Sequence, residues 1–226
     1  MSNRWNFIRR NVSFVAAVAV ILCTSLSYGT TLKKLSLEEL VSSADTITVG
    51  KCEKTESVWL ARKIYTVATI RVSQSVKGKV KSGSAIDVYV LGGQVKKPMP
   101  VKMQVPSAAK VTQGEEMVLF LRAAGPEKKH YCFVGMAQGK VPIQTNPKTG
   151  EKVLHYGELA KGVKLIERDG GTSNTGENNK SFKEGLEDFL HEVEQIMAAQ
   201  TAKDQENGKD KNQFERSEKS QKGGVK

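Results

Sequence analysis

The chain predicts a mainly β fold: a small closed or partly open barrel of five strands, with a short helix before it and an amphipathic helix after it. Three observations carry the prediction. Between Asp45 and Ala137, apolar residues alternate with period two in successive runs. Turns rich in Gly, Pro and Lys separate those runs. Capped stretches with helical spacing flank them, at residues 35–44 and 181–200.

The first element is a targeting segment. Arg4, Arg9 and Arg10 precede the apolar stretch Val12–Leu26, and Ser27-Tyr28-Gly29 places small residues at the −3 and −1 positions of a cut after Gly29. That order is the secretory signal pattern. At about 1.5 Å per residue the stretch makes a helix of roughly 22 Å, short against a hydrocarbon core of about 30 Å. The expectation is a signal peptide over 1–29 and export to the periplasm or beyond. Retention as an inner-membrane anchor is the alternative, and it too leaves the remaining chain exported.

A domain over 30–169 follows. Residues 35–44 read as a helix, with Ser36 as N-cap, Glu39 in capping-box position, and Leu37, Leu40 and Val41 in one stripe. From Asp45 the period becomes two. Thr46–Trp59 is a strand in which Gly50 marks a bulge. Leu60–Lys63 suits a hairpin into Ile64–Val76, where Ile64, Thr66, Ala68, Ile70 and Val72 alternate against Tyr65, Val67, Thr69 and Arg71. Lys77–Gly83 is a turn, and Ser84–Leu91 is a third strand facing inward through Ile86, Val88 and Val90. Gln94–Glu115 holds three prolines and reads as a long irregular loop, the kind that is usually functional or mobile.

Met117–Ala123 is nearly all apolar, which marks a strand buried on both faces. His130–Ala137 returns from it, and Asn146–Gly150 is a strong turn between two further short strands. Residues 170–180 read as a flexible linker. In 181–200, Ser181 and Glu184 form a capping box, and Phe182, Leu186, Phe189, Leu190, Val193, Ile196 and Met197 recur at helical spacing. This stripe folds back over the barrel or docks on a partner protein. Residues 201–226 carry no apolar face and are expected to be disordered. The OB-fold is the five-stranded member of this barrel class, while a β-sandwich fits the same strands nearly as well.

Charge narrows the partners. The chain carries +11 overall, and residues 30–170 hold 23 Lys/Arg against 13 Asp/Glu. In an exported protein nucleic acid is not the expected polyanion; anionic lipid, lipopolysaccharide or an acidic protein surface is more accessible. The candidate contacts are Lys77, Lys79 and Lys81 in one turn, and Lys96, Lys97 and Lys102 in the long loop. A solvated surface that binds nothing explains the same lysines.

Cys52 and Cys132 are an even pair in a compartment that permits disulfides. A bridge would close a loop of about 80 residues and add about 4–5 kcal/mol in the chain-entropy model. Two reduced thiols are the alternative. His130 and Cys132 alternate onto one strand face, yet a metal site needs three or four ligands, so no metal and no cofactor is expected. His155 and His191 complete the three histidines, with no i, i+4 pair and no GxSxG motif. The couples Glu38-Glu39 and Glu115-Glu116 diverge from the backbone as neighbours do, so neither makes an acid/base pair. The chain is not expected to be an enzyme.

Four segments carry a family likeness: ADTITVG at 44–50, RKIYTVATIRVSQSVKG at 62–78, GEEMVLFLRAAG at 114–125 and VGMAQGKVPI at 134–143. Together they resemble a family of exported bacterial proteins of uncharacterised role, and their order is similar to the netrin-like OB barrel of the tissue inhibitors of metalloproteinases. The resemblance implies an OB barrel. For the inhibitors it also implies protease blockade by an N-terminal cysteine that meets the catalytic zinc. Here the expected mature end is Thr30-Thr31-Leu32, without a cysteine, so that mechanism finds no residue.

The functional expectation is therefore an exported, non-enzymatic module that binds a protein or an envelope component, with the 94–115 loop and the 77–81 turn as contact surfaces. Peripheral membrane contact stays open. A non-chelating protease inhibitor, and more remotely a metal-dependent hydrolase using His130, Cys132 and Cys52, are the alternatives.

Overall fold

The computed structural model describes residues 31–96, 99–124, 130–155, 164–166, 172–173 and 183–222. The expected signal segment, with its expected cleavage position after Gly29, lies outside them, as do Lys97 and most of the expected 170–180 linker. Among the described residues no helix is long and apolar enough to cross a membrane.

Strand β1 (Thr31–Lys33) leads into helix α1 (Leu37–Ser43). The helix starts where its chemistry says it should. The Ser36 hydroxyl accepts from the Glu39 amide, and the Glu39 carboxylate accepts from the Ser36 amide at 3.1 Å. Its far end is also held, because the Lys77 ammonium donates to the Val41 carbonyl at 2.8 Å.

Strands β2 (Thr46–Leu60) and β3 (Lys63–Lys77) form a long antiparallel hairpin. Its register shifts between Val49 and Gly50, at the bulge the sequence marks. Glycine is required there: a Cβ would sit 2.6 Å from Ile70 Cγ2 and 2.8 Å from the Arg71 carbonyl oxygen. Strand β4 (Ala85–Leu91) pairs with β3, and β5 (Gly93–Val95) pairs with β6 (Val101–Met103) in a small hairpin of its own. Strand β7 (Glu116–Ala124) pairs with β2, and β8 (His130–Phe133) pairs with β7.

Val88 of β4 meets Tyr131 of β8 in a parallel bridge. The five strands β2-β3-β4-β8-β7 therefore close into a ring. Beyond a 3-10 turn (Met136–Gly139), β9 (Lys140–Thr145), β10 (Lys152–His155) and β13 (Lys183–Gly185) extend the sheet outward from β7. Strands β11 (Lys164–Ile166) and β12 (Thr172–Ser173) join β1 in a separate three-stranded sheet. Helix α2 (Leu186–Lys222) ends the described chain and contacts α1, β10 and β13.

Two apolar cores lie on the two faces of β7. Met117, Leu119 and Leu121 pack inside the ring with Cys52, Ala68, Ile70, Val72, Ile86, Val88, Val90 and Phe133. Val118 and Phe120 pack on the outside, beneath Leu40 and Val41 of α1 and Leu186, Phe189, Leu190 and Val193 of α2. This double burial is why β7 reads as a continuous apolar run.

Four expectations need correction. Strand β8 stops at Phe133 rather than Ala137, because Gly135 and Met136 take positive φ and turn the chain. The 94–115 stretch is no free loop: it contains β5 and β6, and it then returns Ser107 and Ala109 to buried positions, Ala109 inside the ring. The Ser181–Glu184 box does not open the C-terminal helix, because Lys183–Gly185 pairs with β10 and the helix starts at Leu186. Thr172 and Ser173, within the expected linker, pair with β11.

The apolar stripe of α2 faces its own fold rather than a partner. Leu186, Phe189, Leu190 and Val193 are buried, Ile196 and Met197 are partly buried, and Thr201, Ala202 and Lys203 are exposed. The helix continues beyond this packed part, through Lys222.

Candidate functional site

The helices cover one side of the ring and leave the other open. Pairing fixes what the open side displays, because residues directly opposite in adjacent strands share a face. The registers place Val58, Tyr65 and Leu91 in one outward row, Glu56, Val67 and Tyr89 in the next, and Lys54, Thr69 and Asp87 in a third. Their sequence neighbours Ala68, Ile70, Ile86, Val88 and Val90 point into the ring.

Aromatic groups dominate this outer face. The rings of Tyr65 and Tyr89 meet edge to face at 6.3 Å, and Tyr89 lies 4.5 Å from the imidazole of His130. Both tyrosines are half-buried and His130 is exposed. Around them, Thr69 donates to Asp87 at 2.8 Å, Lys54 pairs with Glu56 at 2.6 Å, and Arg71 pairs with Glu53 at 2.9 Å. The main contacts of β3 are with β2, β4 and β5, and those of β4 are with β3 and β8; β3 reaches the helix-covered core at its far end, through Val76 and Lys77. Sequence reasoning passed over this row. The signal was present, because Tyr65 and Val67 put large apolar groups on the face of β3 opposite its core side.

The candidate lysines do not form one site. Lys77 is spent on the α1 terminus. Lys79 and Lys81 are exposed in the β3–β4 turn, and Lys96 and Lys102 are exposed in the β5–β6 hairpin. That hairpin is rooted beside the start of β3, where the Thr66 hydroxyl donates to the Gly92 carbonyl and the Gln94 amide donates to the Ser57 hydroxyl. The two groups thus lie at opposite ends of β3, about 35 Å apart along an extended strand.

Nor do the cysteines pair. Both are free thiols. Cys52 faces the ring interior, whereas Cys132 alternates with the core residues Tyr131 and Phe133 and so lies on the outer side, its thiol 3.7 Å from the Arg122 carbonyl. The strand wall separates the two sulfurs, an arrangement that goes with two reduced thiols rather than a bridge. Burial pushes both thiols above their ordinary pKa, so neither is an activated nucleophile.

The remaining catalytic candidates are dispersed. His191 is exposed on α2, and His130 belongs to the aromatic row. Among the described residues no group of three His, Cys, Asp or Glu side chains could hold a metal. The carboxylates of Glu115 and Glu116 diverge as adjacent residues should: Glu115 pairs with the buried Lys140 at 2.5 Å, and Glu116 pairs with Lys152 at 2.6 Å. The Lys140 ammonium also donates to the Lys110 carbonyl, which fastens the 107–115 segment across the end of the ring.

What fold and site define is a mainly β domain with one helix-covered side and one open aromatic side. No family model and no curated protein sequence matches the chain.

Proposed function

We propose that the protein is an exported, non-enzymatic binding module built on an OB-type barrel, which holds a partner protein of the cell envelope on the outer face of β3, β4 and β8. The observation that carries this reading is the Tyr65–Tyr89–His130 row on a face the protein's own helices leave open. Tyrosine is enriched at protein interfaces because it offers a large apolar body and a polar tip at low entropic cost. The polar and charged groups beside the row, Lys54, Glu56, Thr69 and Asp87, suit the rim of such an interface.

The OB assignment rests on strand order. Numbered along the chain as first to fifth, β2, β3, β4, β7 and β8 follow one another around the ring in the order first-second-third-fifth-fourth, with the third and fifth parallel. The netrin-like resemblance points the same way. In OB barrels this flank is a common ligand face, though fold alone does not assign a ligand. The apolar targeting pattern of residues 1–29 supports an extracytoplasmic site of action.

A photo-crosslinking amino acid in place of Tyr89, expressed in the exporting cell, tests the reading. It should capture a discrete envelope protein that the same probe at Lys148, in the β9–β10 turn, does not. Identical products at both positions would sink the proposal.

A further inference from the structure

At the end of the ring opposite Lys79 and Lys81, two hairpins carry every large hydrophobic side chain that is exposed among the described residues. Trp59 is 58% exposed and Leu60 49%, at the tip of the β2–β3 hairpin; Met99 is 67% exposed, in the turn between β5 and β6. The β2–β3 tip is a two-residue turn in which Ala61 and Arg62 both take positive φ, at 47° and 63°. Neither is glycine, so the tight turn presents side chains where glycines would leave bare backbone. Flanking these apolar groups are Arg62, Lys63, Lys96 and Lys102, all exposed and in no ion pair among the described residues.

The β5–β6 hairpin is held against the shaft of the other. The Gly92 amide donates to the Ile64 carbonyl at 2.8 Å, and Gly93 approaches Ser57 and Thr66 so closely that a Cβ would lie 2.6 Å from the Ser57 hydroxyl. Glycine is needed at 93 for this approach, and β5 is thereby rooted two residues from Trp59. Apolar tips inside a cationic collar combine the two forces that bring a protein to an anionic bilayer: burial of apolar groups at the acyl boundary and attraction of Lys and Arg to headgroups. Trp favours that boundary because its ring is amphipathic.

We propose that this end of the protein docks on an anionic phospholipid bilayer, with Trp59, Leu60 and Met99 inserted at the headgroup level and Arg62, Lys63, Lys96 and Lys102 on the lipid phosphates. The proposal is independent of the Tyr65–Tyr89–His130 face, which stands on the flank and would remain turned toward a protein partner.

Trp59 is the single tryptophan of residues 31–226, since the chain's other one is Trp5. Every described element lies within 31–226, so this part, freed of the apolar 12–26 segment that would bind lipid by itself, is the sample. Adding vesicles of phosphatidylglycerol and phosphatidylcholine should shift Trp59 emission to the blue and shield it from acrylamide. Vesicles of phosphatidylcholine alone should do much less. Sedimentation with the mixed vesicles should fall about tenfold in the Met99→Ser and Leu60→Ser double variant, whose substitutions lie on exposed tips. It should fall again as salt rises, because the headgroup attraction is screened. Unchanged emission with mixed vesicles, or equal sedimentation of variant and wild type, would overturn the proposal. Retained binding by the Tyr65→Ser variant separates it from the partner-face reading.

Discussion

Phe189→Ala tests whether α2 belongs to the fold. Phe189 is fully buried and meets Phe120 of β7 edge to face at 6.3 Å. Around the two rings lie Leu40, Val41, Ile47, Leu154 and Val193, contributed by both helices and the sheet. Removing a buried phenyl ring costs about 3–5 kcal/mol in transfer and cavity terms, to which loss of the edge-to-face pair belongs. In a body of this size each kcal/mol moves Tm by about 2–4 °C, so a fall of roughly 6–20 °C is expected. Thermal and urea unfolding followed by far-UV circular dichroism would measure the two quantities, with Phe189→Leu as a milder control expected to cost less than about 1.5 kcal/mol. If the helix instead reserved this face for a partner, the ring would be solvent-exposed in the isolated protein. The change would then stay within about 0.5 kcal/mol, and that result would refute the packing argument.

Two other outcomes follow from close approach and from burial. Gly50→Ala should lower stability by about 1–3 kcal/mol in the same urea assay, because its Cβ meets the Arg71 carbonyl, which cannot move without disturbing the β2–β3 register; an unchanged midpoint would mean that the bulge is absent. Unreduced, denatured 31–226 should titrate as two free thiols, and none would show that Cys52 and Cys132 are bridged after all. Because burial raises the Cys52 pKa above its ordinary 9.0, its contribution is fully present below pH 9 and is lost as pH rises through the folded-state value, where the unfolded chain gains by ionising. Cys52→Val should flatten that alkaline loss, which urea midpoints at pH 8 and pH 10 would show.

The elements written in local chemistry were legible. Ser36 and Glu39 announce the start of α1, Gly50 announces its bulge, and the apolar run of β7 announces a strand with a core on each side. What was not legible depended on which elements meet. The 94–115 stretch reads as a loop because its prolines and short runs hide a hairpin, and nothing local says that Ser107 and Ala109 return to the interior. The Ser181–Glu184 pair has the spacing of a capping box, yet pairing of 183–185 with β10 takes those residues into the sheet. The lysines were conspicuous by charge, but Lys77 serves a helix end, while Lys79 and Lys81 lie at one end of β3 and Lys96 and Lys102 at the other. The candidate face was missed because its one local hint, Tyr65 and Val67 on the solvent side of β3, does not say which residues of the neighbouring strands complete the row. Tyr65, Tyr89 and His130 become neighbours only through the ring's register.

Hydrogen exchange of the protein, with and without the envelope protein captured by the probe at Tyr89, decides whether the proposed face binds. Slowed exchange is expected in 65–69, 87–91 and 130–132, with 186–197 unchanged because the apolar stripe of α2 is already buried against its own sheet. Protection confined to α2 or to the β3–β4 turn, with the Tyr65–Tyr89–His130 face unaffected, would contradict it.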